Sequence, residues 1–214
     1  MQLAKRIDHT VLKPDATVAQ IEKLCEEAKR YGFASVCVNS CHVARAARLL
    51  ADSDVMVCTV IGFPLGATAT AAKVAETEIA YADGCDEFDM VINIGALRDG
   101  NLALVRSDIA AVVAAAKGRT VKVILETGLL TDAEKAAACH LAAEAGAHFV
   151  KTCTGFASGS ATVADIALMR RESPAHVKVK ASGGIRSYEA ALALVEAGAD
   201  RIGTSSGVAI CEGH

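Results

Sequence analysis

The segment VKVKASGGI, Val177–Ile185, reads as a strand that runs into a glycine turn, and it carries two lysines two residues apart. Side chains alternate faces along a strand, so Lys178 and Lys180 share one face while Val177 and Val179 take the other. An open parallel sheet is covered by helices on both sides and reads as continuous apolar residues. A strand with one charged face fits a closed barrel, where helices cover only the outside. Two more segments repeat the pattern: Lys122, Ile124 and Glu126 oppose Val121, Val123 and Leu125, and Glu87, Asp89, Val91 and Asn93 oppose Phe88, Met90 and Ile92. The polar sets are therefore expected to point into a barrel interior.

The rest of the chain supplies the other strands. Strand-like segments at 6–12, 33–39, 55–62, 87–93, 121–127, 148–153, 177–182 and 201–205 alternate with amphipathic, helix-like ones. In TVAQIEKLCEEAKRYG, Thr17 and Gln20 match a capping box, Ile21, Leu24, Cys25 and Ala28 recur at helical spacing, and Gly32 terminates. Thr131 and Glu134 form a second capping box. Eight such units without a linker predict a (β/α)8 TIM barrel, an α/β fold spanning 1–214 as a single domain. The last helix is very short, since only SGVAICEGH remains, and it leaves an apolar flank that a homodimer would cover.

Composition narrows the partners. The 214 residues carry Lys+Arg 22 against Asp+Glu 25, a net charge of −3, so no basic surplus exists to attract nucleic acid or an acidic membrane. MQLAKRIDHT lacks an apolar leader core, no run is long enough to span a bilayer, and the 8 cysteines form no CxxC pair. A cytoplasmic protein with free thiols is expected. Cys41-His42 and Cys139-His140 are adjacent pairs without a second ligand pair, so no metal site is expected.

An internal repeat refines the interior. The junctions EAKRYGFASVCV, IAYADGCDEFDMV, LAAEAGAHFVKT and ALVEAGADRIGT each hold a glycine suited to closing a helix. Five residues beyond these glycines lie Cys37, Asp89, Lys151 and Gly203, on strands two, four, six and eight. Alternate strands of a barrel contribute one interior layer, which puts Asp89 and Lys151 together. Lys122, Lys178 and Glu87 fall toward the strand starts and read as an ion-pair network. Asp89, Lys151 and Lys180 fall nearer the strand ends, where barrel active sites form, and are the catalytic candidates. ASGGIRSYEA and GTSSGVA follow strands seven and eight, where barrels commonly bind phosphate.

The motifs IDHTVLKPDAT, VCVN, TVIGFPLGATAT, EFDMVINIGAL, VKTCTGF, VKASGGIR and RIGTSSG, in order from residue 7 to residue 207, resemble the deoxyribose-phosphate aldolase family. The resemblance implies a cofactor-free class I aldolase that reversibly cleaves the phosphosugar 2-deoxy-D-ribose 5-phosphate to acetaldehyde and D-glyceraldehyde 3-phosphate. It implies Lys151 as the Schiff-base lysine, Lys180 beside it to disfavour its protonation and to take part in proton transfer, and Asp89 in proton transfer. Phosphate contacts carry over to Gly155, Gly183, Gly184, Ser205 and Ser206. The family more often has Ser where this chain has Cys153, which puts any polar role there in doubt. Its tail tyrosine has no counterpart here, since the last tyrosine is Tyr188, so a tail-assisted proton transfer is not assumed.

The chemistry explains the residue types. A neutral amine must attack an aldehyde, and lysine is almost wholly protonated at neutral pH unless desolvation or a second cation lowers its pKa. Read without the resemblance, Lys151 and Lys180 on neighbouring strands are interchangeable: either could attack while the other suppresses its protonation. The competing functions are another class I phosphosugar aldolase and a noncatalytic phosphosugar-binding barrel, and fold alone does not exclude the latter.

Overall fold

A computed structural model describes residues 3–213. Its strands are β1 (Ile7–Val11), β2 (Ser35–Val38), β3 (Met56–Ile61), β4 (Glu87–Val91), β5 (Thr120–Ile124), β6 (Phe149–Lys151), β7 (Lys178–Ser182) and β8 (Arg201–Thr204). They pair in sequence order, all parallel, and β8 closes on β1. The helices between and after them are α1 (Val18–Tyr31), α2 (Val43–Leu50), α3 (Thr70–Ala82), α4 (Ile94–Arg98), α5 (Leu102–Ala115), α6 (Asp132–Glu144), α7 (Val163–Glu172), α8 (Tyr188–Glu196) and α9 (Gly207–Cys211). This is the (β/α)8 barrel expected from the strand faces. Both capping boxes form, at Thr17 with Gln20 and at Thr131 with Glu134. The short final helix is present, and Ile210 anchors it in the core. Among the described residues no helix is long and apolar enough to cross a membrane.

Strand parity sorts the side chains as anticipated. Phe88, Met90, Ile92, Val121, Val123, Leu125, Val177 and Val179 all lie in the large apolar core between sheet and helices. The interior holds a separate small apolar cluster of Leu12, Cys37, Cys58 and Val60, together with the buried charges. The repeat glycines Gly32, Gly84, Gly146 and Gly198 all have positive φ (65°, 96°, 83° and 116°), so four helices turn back to the sheet by the same left-handed residue. The registers Cys37↔Cys58, Asp89↔Lys122, Lys151↔Lys180 and Asp8↔Gly203 interleave the even-strand layer Cys37, Asp89, Lys151, Gly203 with an odd-strand layer Asp8, Cys58, Lys122, Lys180.

Three expected positions differ. Glu126 lies beyond the end of β5 with φ 59°, so alternation no longer applies, and its carboxylate turns to the segment after β6. Asn93 follows β4 and caps α4, accepting from Ala96 N–H at 3.1 Å. Lys178 opens β7 at the barrel floor and is exposed. Its ammonium sits 5.6 Å from the centre of the Phe149 ring rather than in the ion-pair network.

On the outside, Lys73 of α3 is fully buried and paired with Asp108 of α5 at 2.5 Å. Its ammonium also donates to Val91 O at 2.9 Å, at the end of β4, so this pair ties two helices to the rim of the barrel.

Candidate active site

Asp89 is the hub of the interior. Its Oδ2 accepts from Lys151 Nζ at 2.8 Å and Lys180 Nζ at 2.7 Å, and its Oδ1 accepts from Lys122 Nζ at 2.8 Å. Strand alternation and register bring these four side chains, from β4, β5, β6 and β7, to one point. Below them Lys180 also pairs with Asp8, Lys122 with Glu87 at 2.7 Å, and Arg201 bridges Asp8 and Glu87. Lys122 and Glu87 thus belong to an ion-pair network, as their place near the strand starts suggested.

Burial would drive these groups neutral, and their mutual contacts decide otherwise. Desolvation raises the carboxyl pKa of Asp89, but Lys122, Lys151 and Lys180 outweigh it and hold the group well below the usual carboxylate range. Asp8 behaves likewise: burial raises its pKa, and Lys180, Arg201 and Lys122 depress it further than burial lifts it. Burial works against the charge on Lys180, yet Asp8 and Asp89 push its pKa above that of an ordinary lysine. Lys122 is raised in the same way, chiefly by Asp89 against burial. Lys180 is therefore a fixed cation on the oxygen that Lys151 also touches.

A cavity of about 620 Å³ opens at the C-terminal ends of the strands, and Lys151 is the one interior lysine that lines it. Gly155, Gly183, Gly184 and Ser205 line it too, with Thr10, Lys13, Thr154, Phe156 and Arg186. Ser206 is not among the lining residues, and its N–H is already donated to Thr204 Oγ1 at 2.9 Å. Of the serine pair after β8, Ser205 lines the cavity, and the Thr204 hydroxyl holds the N–H of Ser206 in the turn. Gly203 is glycine for a visible reason, because a Cβ there would lie 3.0 Å from Lys180 Cε and 3.1 Å from Ser182 Cβ. The empty place in the even layer is filled by the Lys180 side chain.

Sequence reasoning did not single out Asp8, Arg201, Lys13, Thr10 or Arg186. Asp8 lies between outward-facing Ile7 and His9, so the parity applied to β4, β5 and β7 would have found it. Lys13 and Arg186 sit on loops, where no periodicity reports direction. Cys153 does not line the cavity, and its thiol lies 3.4 Å from Thr127 Oγ1. The polar neighbour at the mouth is Thr154, whose N–H donates to Glu126 Oε2 at 3.2 Å and whose hydroxyl donates to the same oxygen. Cys37, Cys58 and Asp89 place potential ligand atoms within 4.8 Å of one another. Both oxygens of Asp89 already accept from ammonium groups, however, and a divalent cation would have to displace them, so this donor set does not suit a metal.

A family model described as DeoC/LacD family aldolase matches residues 2–213. The chain belongs to the DeoC/LacD aldolase family. Among relatives of this family, a deoxyribose-phosphate aldolase of Streptococcus suis (strain 98HAH33) is 62% identical over 213 residues, covering 100% of this chain and 97% of the relative. A deoxyribose-phosphate aldolase of Geobacillus sp. (strain WCH70) is 61% identical over 212 residues, covering 99% of this chain and 95% of the relative. A solved structure, a tetrameric deoxyribose phosphate aldolase from Aeropyrum pernix, superposes with a TM-score of 0.92 at 36% identity, covering 98% of this chain and 89% of that one. In this DeoC/LacD aldolase the cavity at the strand ends reaches one of the interior lysines, Lys151.

Proposed function

We propose that the protein is a deoxyribose-phosphate aldolase that reversibly cleaves 2-deoxy-D-ribose 5-phosphate to acetaldehyde and D-glyceraldehyde 3-phosphate through a Schiff base on Lys151. One observation carries the choice of lysine: Lys151 alone among the interior lysines opens onto the cavity, and a single carboxylate oxygen, shared with Lys180, is its only anionic partner. Lys180 and Lys122 each hold two or more carboxylates and are committed to the charged form.

The neutral amine of Lys151 adds to C1 of the open-chain sugar, and the carbinolamine loses water to give an iminium. The C3 hydroxyl then loses its proton, the C2–C3 bond breaks, its electron pair moves into the iminium as an enamine, and C3 leaves as the aldehyde of glyceraldehyde 3-phosphate. Protonation of the enamine at C2 and hydrolysis release acetaldehyde and regenerate the amine. Asp89 touches Lys151 Nζ and is placed to accept and return protons there once substrate disturbs its contacts, and Lys180 opposes positive charge on Lys151 before substrate binds. Lys13, Arg186, Ser205 and the loops at Gly155 and Gly183–Gly184 supply cationic and backbone groups for the phosphate.

Borohydride reduction in the presence of acetaldehyde, followed by intact mass and peptide mapping, tests the reading. A reduced two-carbon adduct on Lys151, absent from Lys151→Leu, is expected. A noncatalytic sugar-phosphate binder gives no adduct, an aldolase for a ketone donor gives little, and an adduct mapped to Lys180 reverses the assignment.

A further inference from the structure

The groups ion-paired with one another in the barrel interior do not balance. Three carboxylates, Asp8, Glu87 and Asp89, face four cations, Lys122, Lys151, Lys180 and Arg201, and all but Arg201 are at most 3% exposed. Fully ionised, the set keeps one uncompensated positive charge in a low-dielectric interior, an expensive arrangement. Loss of one proton removes the surplus. Arginine does not give up its proton. Lys122 contacts Asp89 and Glu87 and lies 3.9 Å from Asp8, and Lys180 pairs with both Asp8 and Asp89, so either would withdraw its charge from two or more carboxylates by deprotonating. Lys151 would withdraw its charge from Asp89 alone, and Lys180 remains on the same Asp89 oxygen.

Arg201 is what creates the surplus. It pairs with Asp8 through Nη1 and with Glu87 at 2.9 Å through Nη2, drawing on the charge of two carboxylates that otherwise serve only Lys122 and Lys180. We propose that Arg201, at the floor of the barrel, is a positioning residue that favours the uncharged amine an attack by Lys151 requires by supplying the surplus cation of the interior, and that Glu87 acts on the same balance in the opposite sense. This rests on Lys151 being the Schiff-base lysine. Arg201 does not touch substrate and acts through Asp8, Lys180 and Asp89.

Charged and titratable groups approach Lys151 from every strand, and Glu126, buried beyond the end of β5, turns its carboxylate to Thr154 and joins no ion pair among the described residues. Asp89 and Glu87 come from β4, Lys122 from β5, Lys180 from β7, Asp8 from β1 and Arg201 from β8. Cys37 of β2 and Cys58 of β3 complete the ring, and Cys58 Sγ donates to Asp89 Oδ1 at 3.2 Å. Lys178, Lys13 and Arg186 are exposed and solvated. Cys37, beside Cys58 and Asp89, is another group whose lost proton would cancel the surplus.

The experiment measures kcat/KM for sugar-phosphate cleavage, and the yield of borohydride-trapped acetaldehyde adduct on Lys151, from acid to alkaline pH in folded variants. Arg201→Gln leaves three cations against three carboxylates, so the acid limb of both profiles should move up by at least about one pH unit, a loss of about tenfold at neutral pH that alkaline pH restores. Arg201→Lys keeps the charge and should keep the limb in place. Glu87→Gln should move the limb down, and Arg201→Gln combined with Glu87→Gln should return it toward the wild type. A merely structural role lowers the plateau without moving the limb and makes the double variant no better than the worse single one. Either result overturns the inference. So does a limb that disappears in Cys37→Ala, which would assign the missing proton to the thiol. If Arg201→Gln does not fold, the direction of the Glu87→Gln shift decides alone. No adduct on Lys151 of the wild type at any pH defeats the function reading itself, whereas an adduct with unmoved limbs defeats only this inference.

Discussion

Replacing Lys180 by leucine separates the two lysines that the sequence left interchangeable. The substitution removes the ammonium shared by Asp8 and Asp89, leaving Asp8 with Arg201 and the more distant Lys122, and Asp89 with Lys122 and Lys151. Lys151 then becomes the only cation on Asp89 Oδ2 and loses the neighbour that opposed its proton. Both ammonium nitrogens contact that one oxygen, at 2.8 Å and 2.7 Å, which keeps them within roughly 5 Å of each other, and at an effective dielectric near 20 the lost repulsion is about 3 kcal/mol. Lys180→Leu should therefore lose about a hundredfold in kcat/KM at neutral pH and recover as pH rises, with the trapped adduct still on Lys151. Lys151→Leu should show no adduct and no recovery at any pH. The assay pairs the pH profile of cleavage with peptide mapping of the borohydride-trapped protein, and thermal melts confirm folding. A folded Lys180→Leu with an unshifted acid limb would show that charge repulsion is not what activates Lys151.

Three further outcomes follow from the same geometry. Ser205→Asp places negative charge in the cavity and should raise KM for the phosphorylated sugar by about tenfold or more while leaving KM for unphosphorylated deoxyribose nearly unchanged; equal effects on both would take Ser205 out of the phosphate site. Lys73→Met leaves Asp108 buried beside α3 without its cation and should cost about 3–5 kcal/mol in urea unfolding, most of it regained in the double variant Lys73→Met with Asp108→Leu. Because the folded carboxyls of Asp8 and Asp89 lie below their ordinary 3.8, the stability they supply is complete above that value and drains away as pH falls below it. Asp8→Asn should consequently flatten the acid-unfolding curve between about pH 4 and pH 2 relative to the wild type, and an unchanged slope would mean that Asp8 contributes no such linkage.

How far the sequence revealed this site depended on whether a residue lay on a strand or beyond one. Lys122, Lys180, Glu87 and Asp89 were legible because a strand forces alternation, and alternation combined with an apolar opposite face leaves one place for a charge. The repeat then fixed height: four left-handed glycines, each five residues before its layer position, placed Asp89 and Lys151 at one level before any coordinate was known. Beyond the strand ends both rules lapse. Glu126 keeps the parity of Lys122 on paper, yet its positive φ swings the carboxylate to Thr154. Ser205 and Ser206 are identical in sequence terms, and only the folded loop shows that Ser205 lines the cavity while the N–H of Ser206 is held by Thr204 Oγ1.

The choice between Lys151 and Lys180 was hidden for a different reason. Each is a lysine on a neighbouring strand with the same orientation, and nothing local distinguishes them. The folded chain separates them by the cavity, which Lys151 lines and Lys180 does not, and the proposed charge balance adds a count in which three carboxylates are divided among four cations, with Asp8 and Arg201 entering from the first and last strands. That count exists only once β8 has closed on β1, which brings Asp8 against both Arg201 and Lys180. Barrel closure is thus a chemical requirement as well as a structural one. Until the ends of the sheet meet, Asp8 holds neither cation, and on the proposed balance the surplus charge has no fixed owner.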